Sequence, residues 1–395
     1  MVRYRIAYCS TLAAVILFYF FFNGYLSFFT LVFVLLLPFV SWLLTLLATG
    51  KTTVRLEMQS PIASKKEDFI LLVQIRNTSI FPVARARIKF SCVNSLCGKK
   101  QSETLFFPIN ANAELTVEHP MRSEFCGKIT AEMTQIRYYD YLGIFTIKQN
   151  PPIYAEAFVI PKMQYIDAQI DMTANNSVES STYSKAKPGD DPSEIFDIRP
   201  FRDGDRLRSI HWKLSSRLDE LMVKEFSLPT DNEVLLLTEL LAPNMTTLDT
   251  VVEVFASISN FLLTNQINHR VEWFDSTNEQ FCNDTVECDE DLAVLLNAVL
   301  STESYREKPY ALVCRNRLGD TAQNYSHAIY VTAQLSNELT AFCDRPHGEK
   351  TTVLYICEKV DAAQQVLADS LDDMNIAVVK IHPGKIQEDL SGLML

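Results

Sequence analysis

Between Arg5 and Lys51 the chain carries no charged residue. The run, IAYCSTLAAVILFYFFFNGYLSFFTLVFVLLLPFVSWLLTLLATG, is dominated by Phe, Leu, Val and Ile. A bilayer core of about 30 Å takes about 20 helical residues, so the run is too long for one crossing and suits two. Asn23-Gly24 supplies a turn dipeptide near the middle, which predicts a helical hairpin over about Ile6–Phe22 and Leu26–Ala48. A secretory signal peptide is the competing reading. Its apolar core usually spans only about 7 to 15 residues and a small-residue cleavage site should follow, and neither condition is met cleanly.

From Thr52 to about Met163 the pattern has period two. In ARARIKFS the small or apolar Ala84, Ala86, Ile88 and Phe90 alternate with Arg85, Arg87, Lys89 and Ser91, which predicts one buried and one wet face. FILLVQIRN, SETLFFPI, ELTVEHPM and GKITAEMTQIRYYD repeat the theme with turn residues between them. Several short strands without strong helices between them predict a β-sandwich of immunoglobulin-like type. From Gln164 to Ala186 the composition turns polar and small, which reads as an extended or mobile connection.

The period then changes again. EVLLLTELL is a continuous apolar run, as in a strand buried on both faces. Leu248, Val251, Val252, Phe255, Ile258 and Leu262 follow at the spacing of one helix face. RVEWFD, HAIYVTA, TTVLYICE and IAVVKI alternate with EDLAVLLNAVLS, NELTAFCDR and AAQQVLADSLDDM. Strand-helix alternation of this kind predicts an α/β domain, a parallel sheet with helices on both faces. The expected organisation is a transmembrane hairpin over residues 1–50, a β-sandwich over 52–163, a linker and charged segment over 164–230, and an α/β domain over 231–395.

Charge refines this picture. Arg3 and Arg5 precede the hairpin and Lys51 and Arg55 follow it, so the positive-inside rule places both ends, and the soluble domains, in the cytoplasm of a two-helix membrane protein. Eight of the nine cysteines lie beyond the hairpin, scattered through domains that do not look small enough to need staples, which favours reduced thiols. The net charge of −12 argues against a nucleic-acid partner and against broad adhesion to anionic lipid, leaving the hairpin as the membrane attachment.

Candidate chemistry is sparse. The loop after the first α/β strand, TELLAPN, has no Gly-rich phosphate cradle and offers only Thr238 and Glu239 as possible ligands of a hard cation. The spacings Cys92 to Cys97 and Cys282 to Cys288 exceed the usual zinc-knuckle loop of about two to four residues. No cofactor and no metal is expected. What stands out is PGDDPSEIFDIRPFRDGDRLRSIHWKLSSR, where Asp190, Asp191, Glu194, Asp197, Asp203 and Asp205 mix with Arg199, Arg202, Arg206, Arg208, Lys213 and Arg217. Such mixing suggests forked Arg–carboxylate pairs, with Ile195, Phe196, Ile198, Phe201, Ile210 and Trp212 anchoring the strip on apolar surface. Two readings stand open: a latch or partner surface, or a site where His211 is a general base oriented by Asp205 or Asp203, with Lys213 beside it.

This strip resembles the signature of the bacterial membrane-protein family called domain of unknown function 58. The likeness is carried by Gly189 with the acidic cluster of Asp191 and Glu194, by IRPF with Arg199, by DGDRLRSIHWK with Gly204, Asp205, Arg208, His211, Trp212 and Lys213, and by Arg217, Val223 and Phe226. FCGKITAEMTQIRYYDYLGIF, with Asp140-x-x-Gly143 and Phe145, is similar to the family's sandwich ending. The resemblance implies a C-terminal domain similar to a von Willebrand factor A domain. It also implies genes neighbouring MoxR-type AAA ATPases, a role in assembling or maturing protein partners, and no established reaction. Two positions depart from the pattern: Ser216 stands where the family has Ala, and Thr238 where a metal-binding Asp is usual. The function expected is a membrane-anchored adaptor or assembly factor working with protein partners such as a MoxR-type AAA ATPase. The alternative is an envelope hydrolase or transferase using Asp205, His211 and Lys213.

Overall fold

The computed structural model describes every residue except 1, 23, 170–182, 190, 203–208, 219, 230–233, 306–324, 338, 340–347, 360, 375, 392 and 395. These residues form two compact units, Met1–Pro161 with Leu300–Glu303, and Lys162–Val299 with Ser304–Leu395.

The first unit opens with helices α1 (Val2–Phe21) and α2 (Tyr25–Thr49), both long and apolar enough to cross a membrane. They start and stop within about one turn of the bounds expected from the apolar run. Gly24 caps α2 in an extended conformation, and Asn23 lies outside the described residues. A third helix of sufficient length, Met245–Thr264, is mostly buried in the second unit and is a core helix, whereas α1 buries none of its residues.

Nine strands follow: β1 (Thr52–Met58), β2 (Ile62–Ser64), β3 (Asp68–Asn77), β4 (Val83–Asn94), β5 (Lys100–Ile109), β6 (Ala113–Arg122), β7 (Gly127–Tyr139), β8 (Thr146–Gln149) and β9 (Tyr154–Ile160). One sheet has the order β1-β3-β6, and the other β2-β9-β7-β4-β5 with β8 against β7. Alternation does what it predicts: Leu71, Val73 and Ile75 of β3 share one core with Ile88 and Phe90 of β4 and with Met133 and Ile136 of β7. Ala84 departs from it and is exposed, because the β4–β5 register shifts between Val83 and Ala86 and turns the strand over.

In the second unit β10 (Ala168–Gln169) pairs with β20 (Leu393–Met394). The segment expected as a linker holds structure of its own. Strands β11 (Tyr183–Gly189), β12 (Asp191–Pro200) and β13 (Met222–Pro229) make an antiparallel sheet ordered β11-β13-β12, with helix α3 (Trp212–Leu218) between β12 and β13. Charged residues spread over these strands hide the alternation by which strands are recognised. The polar run DMTANNSVESST, residues 171–182, lies outside the described residues.

The main sheet has the order β16-β15-β14-β17-β18-β19, from β14 (Val234–Thr238), β15 (His269–Asp275), β16 (Gln280–Val286), β17 (Tyr325–Thr332), β18 (Gly348–Ile356) and β19 (Ala377–Ile381). Five of these strands are parallel. The sixth, β16, runs antiparallel on the edge against β15, correcting the all-parallel expectation. Its sequence, QFCNDTV, is half exposed and polar, so no apolar run marked it. Helices α4 (Met245–Thr264), α5 (Asp289–Ser301), α6 (Ala362–Asp373) and α7 (Ile386–Asp389) are described alongside this sheet. The expected inner face of α4, from Leu248 through Phe255 to Leu262, is buried. Asn244 caps this helix, its Oδ1 accepting from Thr247 N–H at 2.8 Å. Part of NELTAFCDR falls outside the described residues.

Candidate functional site

The charged strip is built around one bridge. Ile210 pairs with Val223 of β13, and both are buried, so they and not the aromatic residue fix the strip. His211 N–H donates to the Met222 carbonyl at 2.8 Å, placing α3 at the end of β13. Its imidazole then caps the helix, Nδ1 accepting from Leu214 N–H at 3.1 Å. Ser215, buried, donates from Oγ to the His211 carbonyl at 3.1 Å and accepts from Met222 N–H at 2.9 Å. These bonds tie the first turn of α3 to the start of β13 and make a rigid platform.

Trp212 stands on that platform and is 65% exposed. This corrects the expectation that it anchors the strip: as the first residue of a seven-residue helix whose inner side is taken by Ser215, its indole points to solvent. Lys213 and Arg217 on the same helix are exposed too. Arg199 lies opposite Val223, Gly189 opposite Phe226 and Asp191 opposite Ser227, so the backbone brings the two arms of the strip together. Glu194 lies on β12 between Asp191 and Ile195, where the β12–β13 register shifts. Gly204, Asp205 and Arg208, with Asp203 and Arg206, lie outside the described residues. In His211 the Nδ1 atom that an orienting carboxylate would hold is occupied by the helix cap.

A second polar group sits where the chain order of the main sheet reverses. In open α/β sheets ligands bind beyond the carboxyl ends of the strands at such a point. Here β14 ends at Thr238, beside the end of β17, and Glu239 follows it, its N–H donating to the Val331 carbonyl at 3.0 Å. The buried Glu239 carboxylate accepts from Thr332 Oγ1 at 2.6 Å and from Tyr330 Oη at 3.2 Å, while Thr238 Oγ1 is buried without a partner among the described residues. Among the described residues no three His, Cys, Asp or Glu side chains gather as metal ligands.

Two further arrangements escaped the sequence. Ser259 and His269, both fully buried, meet with Oγ and Nε2 at 2.7 Å, and His269 Nδ1 reaches the Ile267 carbonyl at 3.2 Å. The carbonyl needs a proton on Nδ1, so Nε2 accepts from the serine; burial lowers the pKa of this ring, and it is neutral. With no exposure to solvent the pair is structural. In the first unit, a cavity of about 200 Å³ is lined by Cys92, Cys97, Lys99 and Arg122 among others. Burial, helped by Glu103, pushes the Cys92 thiol up to about 11, so it is no thiolate nucleophile.

The class these features define is a protein with two membrane-length helices, a mainly β unit and an α/β region fronted by a charged strip. Residues 197–369 match the family model described as Protein of unknown function DUF58. The chain is similar to the uncharacterized protein YeaD of Bacillus subtilis (strain 168), 23% identical over 193 residues that make up 48% of this chain and 47% of that protein. It thus spans about half the length of that curated relative. Among solved structures it is similar to the alkylpurine DNA glycosylase AlkC of Pseudomonas fluorescens (TM-score 0.20, 11% identity, 28% of this chain and 30% of that one). It is also similar to the CARDB domain of the PF1109 protein of Pyrococcus furiosus (TM-score 0.20, 10% identity, 27% and 86%). Likenesses so slight carry no argument about fold or function.

Proposed function

We propose that the chain is a membrane-anchored adaptor or assembly factor, not an enzyme, and that it takes a protein partner on the face of α3. The observation that carries this reading is the exposed Trp212 beside exposed Lys213 and Arg217, on a helix whose backbone is locked by His211 and Ser215. Trp and Arg are the side chains that most often dominate protein interfaces, and a pre-ordered platform lowers the entropy lost on binding. The partner class we propose, following the resemblance in the strip, is a MoxR-type AAA ATPase acting in envelope or complex maturation. In the same reading the β unit is an immunoglobulin-like sandwich and the α/β region a von Willebrand factor A-like domain.

Capture of the tagged full chain from its own membrane, read by mass spectrometry, tests the proposal. Trp212→Ala is expected to lose a protein that the parent retains; recovery of the same proteins in the same amounts by both would defeat the reading. In this reading the positive flanks favour a cytoplasmic side for both units, and Cys288, exposed, reports on it. A thiol reagent that cannot cross the membrane should spare Cys288 in intact cells and label it after lysis. Cys92, Cys97, Cys126 and Cys357 are buried and would be silent on either side.

A further inference from the structure

The Asp140-x-x-Gly143 turn is left unexplained by the adaptor reading, and it lies against the helices. Asp140, buried, accepts from Ser41 Oγ of α2 at 2.9 Å and from Phe145 N–H at 2.8 Å. Arg5 Nε of α1 donates to the Ile144 carbonyl at 3.0 Å. Gly143 has φ +68°, and a Cβ there would stand 3.2 Å from the Tyr4 ring. Arg5 and Ser41 are both about 17 residues from the hairpin turn, so the turn grips the two helices at one level.

Past that level α2 continues with two faces. Ser41, Thr45, Ala48 and Thr49 are buried, and Ala48 belongs to the β core. On the opposite side Trp42, Leu43, Leu46 and Leu47 are exposed. An apolar outer face over two turns needs lipid as much as the helix below it does. At 1.5 Å per residue, Tyr25 to Ser41 covers about 24 Å, and Leu47 lies about 9 Å further, together close to the hydrocarbon thickness of about 30 Å. The turn therefore grips α2 about 9 Å below the upper edge of its apolar face. It also brings apolar tips with it. Phe145 and Tyr141 are exposed, and Tyr141 Oη donates to the Pro82 carbonyl of the neighbouring loop, which carries Ile80, 71% exposed. That loop is itself tied to the helix end, Thr78 donating to the Lys51 carbonyl.

We infer that this end of the β unit is a membrane-seating surface: Ile80, Tyr141 and Phe145 lie in the headgroup and acyl boundary of the same bilayer that holds the hairpin. The occupant of the patch is lipid, because the turn that carries Tyr141 and Phe145 is bonded to α2 at Ser41, below the exposed apolar Trp42, Leu43, Leu46 and Leu47 of the same helix. Burial of about 5–10 Å in that layer is usual for interfacial elements, and Tyr and Trp are enriched there. The arrangement also accounts for Ser41 and Asp140. A carboxylate drawn toward the boundary is tolerable when its oxygens are hydrogen-bonded, and Ser41 supplies one of those bonds from inside an apolar helix.

The inference rests on the membrane-anchor reading, and its test separates the two. A photoreactive benzoylphenylalanine is placed singly at Ile80, Phe145, Phe33 or Ile62 of the full chain, reconstituted in phosphatidylcholine vesicles. Phe33 is the exposed middle of α2, and Ile62 is exposed at the far end of β7, its partner Phe158 lying opposite Lys128. Lipid adducts are expected at Ile80, Phe145 and Phe33 and not at Ile62. Adducts at Phe33 alone would leave the anchor standing and overturn the seat. An absence of lipid at Phe33 would overturn both, and chain-to-chain adducts at Ile80 in place of lipid would assign the patch to a second copy.

Discussion

The Asp140 turn and helix α3 solve opposite problems. At the turn a charged group is taken out of water and given partners, Ser41 Oγ and Phe145 N–H. At α3 the frame is equally well bonded, through His211 and Ser215, but the largest apolar side chain is left in water. A buried polar group with its bonds made belongs to the fold, whereas an exposed Trp on a rigid frame adds nothing to the fold and is available to something else. The two regions should respond to substitution in opposite ways.

The largest effect is expected at the turn. Asp140→Ala leaves the Ser41 hydroxyl and Phe145 N–H without their acceptor, and bonds to a charged group are worth about 1.5–3 kcal/mol each, so the full chain in detergent should lose about 2–4 kcal/mol in a denaturant melt. At α3 the frame itself is next. Ser215→Ala removes a donor and an acceptor at a buried position and should cost about 1–2 kcal/mol in the same melt.

Acid should act elsewhere, through His269. Burial holds its folded pKa below the ordinary value of 6.5, so the unfolded chain takes up a proton first as pH falls. The stability this neutral ring contributes is present above about pH 6.5 and is lost as pH falls toward the folded pKa. A melting series from pH 7.5 to about 5 should show the loss, and His269→Gln should flatten that part of the profile. The smallest effect is expected at Trp212. Trp212→Ala should move stability by no more than about 0.5 kcal/mol, as for other surface positions, while removing the partner.

Much of the architecture was legible in the sequence, for reasons the structure makes plain. An uncharged run long enough for two crossings has few alternatives, and strict alternation or three-to-four spacing reports a buried face directly, as in β3 and α4. What was not legible depended on register and on partners distant in sequence. Ala84 fits the alternation of ARARIKFS and is exposed through a bulge. Strands β12 and β13 read as a charged linker, since DPSEIFDIRP and MVKEFSLP keep no period-two alternation of apolar and polar residues. Ser41 is one small polar residue in an apolar helix, and its meaning comes from Asp140, 99 residues away. Arg85 reads as a wet-face residue, yet its guanidinium lies over Phe106 at 4.8 Å and Tyr139 at 5.2 Å. In the strip, composition misjudged the direction of the Trp: helix phase in a seven-residue element is set by the bridge between Ile210 and Val223, which composition does not reveal.

The central claim is that the strip presents a surface and does not perform a reaction, and His211 discriminates most directly. Asn is among the best helix caps and can accept the Leu214 N–H bond as Nδ1 does, but it is no general base. His211→Asn in the full chain, assayed for complementation of a deletion strain alongside a melt, is predicted to restore the parent phenotype with unchanged stability. A variant that melts like the parent and fails to complement would contradict the account and return His211 to catalysis.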